Sequence, residues 1–128
     1  MTTTTSGERP ADLIARLGLT ADDLVVEVGS RDGTRLREVK ACGPRVLGVE
    51  PNVQLMARAF AAGVDTLAAY FSPGVAGYIR RKYGPVRLLL VHDAAAFGDP
   101  AAAAACLAPG GRWLFTGPLP EAPLRRAA

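Results

Sequence analysis

The chain has 128 residues, room for one domain with one core and too little for two. Apolar residues make up 49% and charged residues 21%, a balance that excludes wholesale disorder. The formal charge of +3 is too small and too scattered to point to nucleic acid, and no stretch of about 18 apolar residues offers a membrane span.

The first ten residues, "MTTTTSGERP", are polar and lack the apolar run of a secretory signal, so residues 1–9 are expected to form a flexible lead and the protein to be cytoplasmic. "PADLIARLG" then sets Leu13, Ile14 and Leu17 on one helical face between Pro10 and Gly18. "DLVVEVG" is a compact apolar strand ending in glycine, and "TRLREVKACG" returns to helical spacing until Gly43 and Pro44 break it.

The alternation repeats down the chain. "RVLGVE" reads as a strand, "NVQLMARAFAAG" as a helix with Asn52 at its N-cap, and "VDTLAAYF" as the source of a short third strand. "PGVAGYIRRKYG" is helical, "PVRLLLVHD" is the most continuous apolar strand, "DPAAAAACLAPGG" a short helix, and "RWLFTG" a fifth strand. The cluster Arg80, Arg81 and Lys82 lacks interleaved aromatics and reads as a solvated helix face. Cys42 and Cys106 have neither CxxC spacing nor ligand neighbours, which predicts two buried thiols rather than a disulfide or metal site.

Five nearly all-apolar strands alternating with helices predict a doubly wound α/β domain over 10–117, its mostly parallel sheet covered on both faces. The remaining segment, 118–128, is a Pro-rich tail that cannot supply a central strand. An uncovered fifth-strand edge near Trp113 to Phe115 predicts pairing with a second copy or a partner protein, unless the tail covers it.

In such a sheet, ligands bind outside the carboxyl ends of the strands, beside the first strand, where "VGSRDG" lies. Gly29 permits a sharp exit from that strand, Gly33 a close approach at the helix start, and the backbone N–H groups favour an electron-rich ligand group. Glu50 ends the second strand about 20 residues later, where a carboxylate either accepts from both hydroxyls of a ribose or stands as a solvated loop acid. The geometry suits a nucleotide-like small molecule.

"LVVEVGSRDGT", "RVLGVEPN", "AGVDTLAAYFSP", "GPVRLLLVHD" and "LAPGGRWLF" together resemble class I S-adenosylmethionine-dependent methyltransferases, most closely the central domain of sugar C-methyltransferases of antibiotic biosynthesis. The resemblance covers roughly residues 22 to 116. It implies a Rossmann-like sheet of order 3-2-1-4-5, here without the sixth and seventh strands of that class, and S-adenosylmethionine or S-adenosylhomocysteine as the cofactor. Glu27, Gly29 and Gly33 match the turn that wraps the methionine part, and Glu50 matches the ribose acid. Ser30 and Asp32 match neighbouring turn positions, where Asp32 either bonds the amino acid end or closes a local turn. Pro51 and Asn52 flank the ribose site. Tyr70 and Phe71 are placed to sandwich the adenine, with a core role the alternative for Phe71.

The departures from the family bear on function. Arg31 stands where the family usually has asparagine, so either the turn is reshaped or Arg31 faces the cofactor carboxylate. Ala69 replaces an acid, and Phe97 a histidine. His92 and Asp93 occupy the place of a paired asparagine; His92 is a candidate general base or a structural histidine, and strand alternation prevents the two from acting as a dyad. Three functions are open: methyl transfer to a small natural-product or sugar substrate with help from a partner chain, a non-catalytic cofactor-binding subunit or regulator, and recruitment to other chemistry in natural-product biosynthesis.

Overall fold

The computed structural model describes residues 2–4 and 8–117. The elements are β1 (Thr2–Thr4), α1 (Pro10–Leu17), β2 (Leu24–Val28), α2 (Thr34–Ala41), β3 (Arg45–Val49), α3 (Val53–Ala61), β4 (Thr66–Leu67), α4 (Pro73–Lys82), β5 (Val86–Val91), α5 (Ala94–Phe97), a 3-10 helix (Pro100–Ala105) and β6 (Leu107–Phe115). The sheet runs β1-β6-β5-β2-β3-β4 with every pairing parallel. Counted from β2, the five expected strands stand in the order 3-2-1-4-5.

Alternation along each strand feeds two cores. Leu24, Val26 and Val28 of β2 join Leu89 and Val91 of β5 against Ala76 and Ile79 of α4, Phe97 and Trp113. Val25 joins Leu88 and Leu90 on the opposite face against Leu13 of α1, Leu36 and Val39 of α2 and Ala59 of α3. Because both faces are covered, the strands have no solvent side, which explains their mainly apolar runs and makes the buried Glu27 of β2 an exception. Each buried leucine here stabilises the fold by about 1.5–3 kcal/mol through area removed from water.

Three details depart from the sequence reading. The third strand shrinks to Thr66–Leu67. The alanine run forms a 3-10 helix, and the last strand starts as early as Leu107. There Val86 pairs with Leu107 but Leu88 with Arg112, so "APGG" bulges out.

The expectation of an uncovered fifth-strand edge is corrected over Trp113 to Phe115, where Thr2–Thr4 pairs in register. A strand edge offers unpaired N–H and C=O groups, and the β-branched threonines of the lead, expected to be flexible, supply the complementary row. The Pro-rich tail, 118–128, lies outside the described residues. Among the described residues no helix is long and apolar enough to cross a membrane.

Candidate functional site

The carboxyl ends of β2 and β5 open into a cavity of about 630 Å³, within the range of small-molecule sites. Its floor is the β2–α2 turn and the start of α2, with Glu27, Gly29, Ser30, Arg31, Asp32, Thr34, Arg35 and Glu38. Leu55 and Arg58 of α3, His92 and the segment Glu8 to Pro10 form the walls.

The turn is built by backbone geometry. Gly29 (φ 77°) lies so close to Asp93 that a Cβ would approach the Asp93 Cβ to 2.5 Å. Gly33 (φ 81°) is the N-cap of α2, and a Cβ there would press on Ala59 and Val64. Arg31 has φ 57°, the one non-glycine residue with positive φ among those described. Its amide donates to Glu50 Oε1 at 2.8 Å, while Glu50 Oε2 accepts from the Asn52 amide at 2.8 Å. Glu50 is therefore no solvated loop acid: it is buried and ties the turn to the β3–α3 junction.

Alternation places Glu27 on the same face of β2 as Val25, beneath α2. The carboxyl group is almost wholly buried, Oε1 has no hydrogen-bond partner, and Oε2 lies 3.5 Å from Arg35 Nε. Burial pushes its pKa up to about 8 against the pull of Arg35, with Asp32 and Glu50 adding to the rise. At neutral pH the contact is accordingly one between a guanidinium and a mostly neutral acid. Asp32 moves the other way, held down by hydrogen bonds from the Thr34 hydroxyl (2.7 Å) and amide (3.2 Å). Burial, then Arg31 and Arg35, lowers the pKa of His92 against the opposing effect of Asp93, which favours the neutral imidazole overall.

Six of the predicted residues, Glu27, Gly29, Ser30, Arg31, Asp32 and His92, meet at this cavity. Gly33 and Glu50 shape it from behind. Asn52 caps α3, its Oδ1 accepting from the amides of Gln54 and Leu55, and Pro51 links that cap to Glu50. Phe71 takes the core role weighed for it, buried and stacked on Phe97 at 5.5 Å, whereas Tyr70 is 65% exposed. Consecutive residues in extended chain face opposite ways, so one entered the core and the other the solvent. Asp93 caps α5 through the Ala95 amide, away from any dyad with His92.

Sequence reasoning missed Arg35, Arg58 and the Glu8–Arg9 wall. Arg35 lies on the first turn of α2, eight positions after Glu27, where a helix-face cation carries no sequence mark of the cavity it meets. Glu8 is fixed by two hydrogen bonds from Arg16, at 2.9 and 3.0 Å, which nothing local in the sequence announces.

No protein-family model matches the chain. Over 76 residues, 59% of its length, it is 42% identical to C-methyltransferase NovU of Streptomyces niveus, of which the match spans 18%. Among solved structures it resembles AibC, with a TM-score of 0.70, 20% identity and coverage of 95% of this chain and 35% of that one. It also resembles an S-adenosylmethionine-dependent methyltransferase from Thiobacillus denitrificans in complex with S-adenosyl-L-homocysteine, with a TM-score of 0.61, 25% identity and coverage of 86% and 48%. The chain thus spans less than half the length of each of these relatives.

Proposed function

We propose, on the premise that this is a class I S-adenosylmethionine-dependent methyltransferase domain by fold and by its likeness to NovU, that the cavity binds S-adenosylmethionine or S-adenosylhomocysteine and serves methyl transfer. The observation that carries the reading is the juxtaposition of the glycine turn, the buried Glu27 and the Glu50 anchor at the carboxyl ends of β2 and β3. The residues present fit the ligand. The missing Cβ of Gly29 lets the turn pack directly on Asp93 and so sets its shape, and the unpartnered Glu27 Oε1 seeks a donor. Each Glu50 oxygen accepts one amide and keeps a further lone pair for a ribose hydroxyl.

The cofactor supplies an electrophilic methyl group on a sulfonium; the protein supplies position and a proton acceptor. The turn amides and Glu50 would fix the nucleoside and amino acid ends, which is where most of the rate advantage of a transfer between two bound molecules arises. His92, half-buried on the cavity wall with its neutral form favoured by burial, can take a proton from an acceptor as it attacks. On this reading the acceptor is a small natural-product or sugar molecule, as the resemblance to sugar C-methyltransferases implies, and a partner chain completes its pocket.

A second reading, a cofactor-binding subunit without transfer activity, is favoured by Phe97. Where the resembled enzymes carry a histidine, this side chain is fully buried between Phe71 and Trp113 and reaches no substrate.

Calorimetric titration with S-adenosylmethionine and S-adenosylhomocysteine tests the cofactor reading, with saturable one-site binding expected and a large loss of affinity in Glu50→Ala. Absence of saturable heat with either ligand overturns it. His92→Ala separates the two functions: transfer falls and cofactor affinity stays near that of the parent if His92 is the base.

A further inference from the structure

Glu27 is the least comfortable group in the cavity. Its side chain is 3% exposed, one oxygen has no donor at all, and the guanidinium beside the other is 3.5 Å away, beyond the 2.7–2.9 Å of a charge-assisted hydrogen bond. A carboxylate so placed has lost water and gained little in return, so the neutral acid is its resting form until a better cation arrives.

We propose that ligand capture here is a proton exchange at Glu27: the ammonium group of the ligand's amino acid part replaces the carboxyl proton, so each binding event releases a proton to solvent. The inference rests on the proposed cofactor reading and deepens it, because the β2–α2 turn that Glu27 underlies is the stretch assigned there to the amino acid part. The exchange balances: the carboxyl O–H bond breaks, the proton leaves with water, and the resulting carboxylate accepts a hydrogen bond from an ammonium that is already charged. Affinity therefore tightens as pH rises, by about tenfold per unit well below the value near 8 and levelling above it.

The charged neighbours set the window. Arg35 from α2 favours the carboxylate, while Asp32 on the turn and Glu50 at the end of β3 oppose it. Glu38 of α2, Arg31 on the turn, Arg58 of α3, and Glu8 and Arg9 from the lead also line the cavity. Glu8 is held by Arg16. His92 faces the site from the end of β5, its pKa lowered by burial and by Arg31 and Arg35.

The test is calorimetry of S-adenosylhomocysteine binding at pH 7 in buffers of different ionisation enthalpy. Release of about 0.9 proton per ligand is expected from an acid of pKa near 8. 5′-Methylthioadenosine, which lacks the amino acid part, should bind without release. Glu27→Gln, a neutral copy of the protonated acid, should bind S-adenosylhomocysteine without proton release and with a flat dependence on pH.

An unchanged binding enthalpy across buffers in the parent, or equal release from Glu27→Gln, overturns the proton exchange while leaving the cofactor reading intact. No binding by the parent overturns both. Should Glu27→Gln not fold, the carbon-13 carboxyl resonance of Glu27 in the parent decides: titration near pH 8 that moves well below 7 with ligand supports the exchange, and titration below 6 in the free protein sinks it.

Discussion

Arg31 carries a backbone conformation that costs an ordinary residue about 1–2 kcal/mol, and its amide is held there by Glu50. Asparagine tolerates this region better, so Arg31→Asn should stabilise the protein by about 0.5 kcal/mol, read from the midpoint of urea unfolding. Glu27 has a larger effect of opposite character. Its folded pKa is raised, so between pH 4.5 and 8 the folded state holds a proton that the unfolded chain has lost. Its contribution to stability is accordingly full below about 4.5 and declines as pH rises towards 8. Glu27→Gln should remove that decline, giving a higher urea midpoint than the parent at pH 8 and a smaller difference at pH 5. Both positions were legible as chemical types, a glycine-flanked turn and a strand-end acid. The roles of Arg35 and Arg58 were not, because a helix-face cation has the same sequence pattern whether it meets water or a cavity. Tyr70 and Phe71 show a related limit: the residue types suit an adenine or a core alike, and only the direction of the side chain puts Phe71 in the core.

At the level of elements, the caps decide where chain and cavity meet. Asn52 accepts from two amides at the start of α3, and Glu50 holds the Asn52 amide itself. Asn52→Ala should cost about 1 kcal/mol in thermal or urea unfolding, and it should weaken S-adenosylhomocysteine binding only modestly, since Glu50 keeps its own bonds to the backbone. The cap was readable from an asparagine standing before an apolar helical pattern. Less readable were the short β4 and the early start of β6, because strand length depends on which neighbour supplies partners. The "APGG" bulge shows why: Gly111 lies where a Cβ would come within 2.8 Å of the Val86 carbonyl oxygen, a tertiary approach that "LAPGG" alone does not disclose. Alanine runs likewise favour helix in general without choosing between α and 3-10 geometry.

For the molecule as a whole, alternation of apolar strands with helices was enough to establish the two-sided parallel sheet and its central order. It could not reveal β1, since backbone pairing needs no apolar side chains and "TTTT" has none of the periodicity that marks a buried strand. Removal of residues 1–7 should expose the Trp113–Phe115 edge and produce concentration-dependent association by sedimentation velocity, whereas the intact chain should show much less. A truncated protein that stays as monomeric as the parent would show that the edge is protected by something else. The β1–β6 pairing also bears on how the protein is made. Thr2–Thr4 finds its partner only when Trp113–Phe115 has emerged from the ribosome, more than a hundred residues later. Such a distant closure is slow, so a nascent chain halted before Trp113 carries an unpaired Thr2–Thr4 segment and an unfinished sheet, a state exposed to proteases and chaperones until that strand is made.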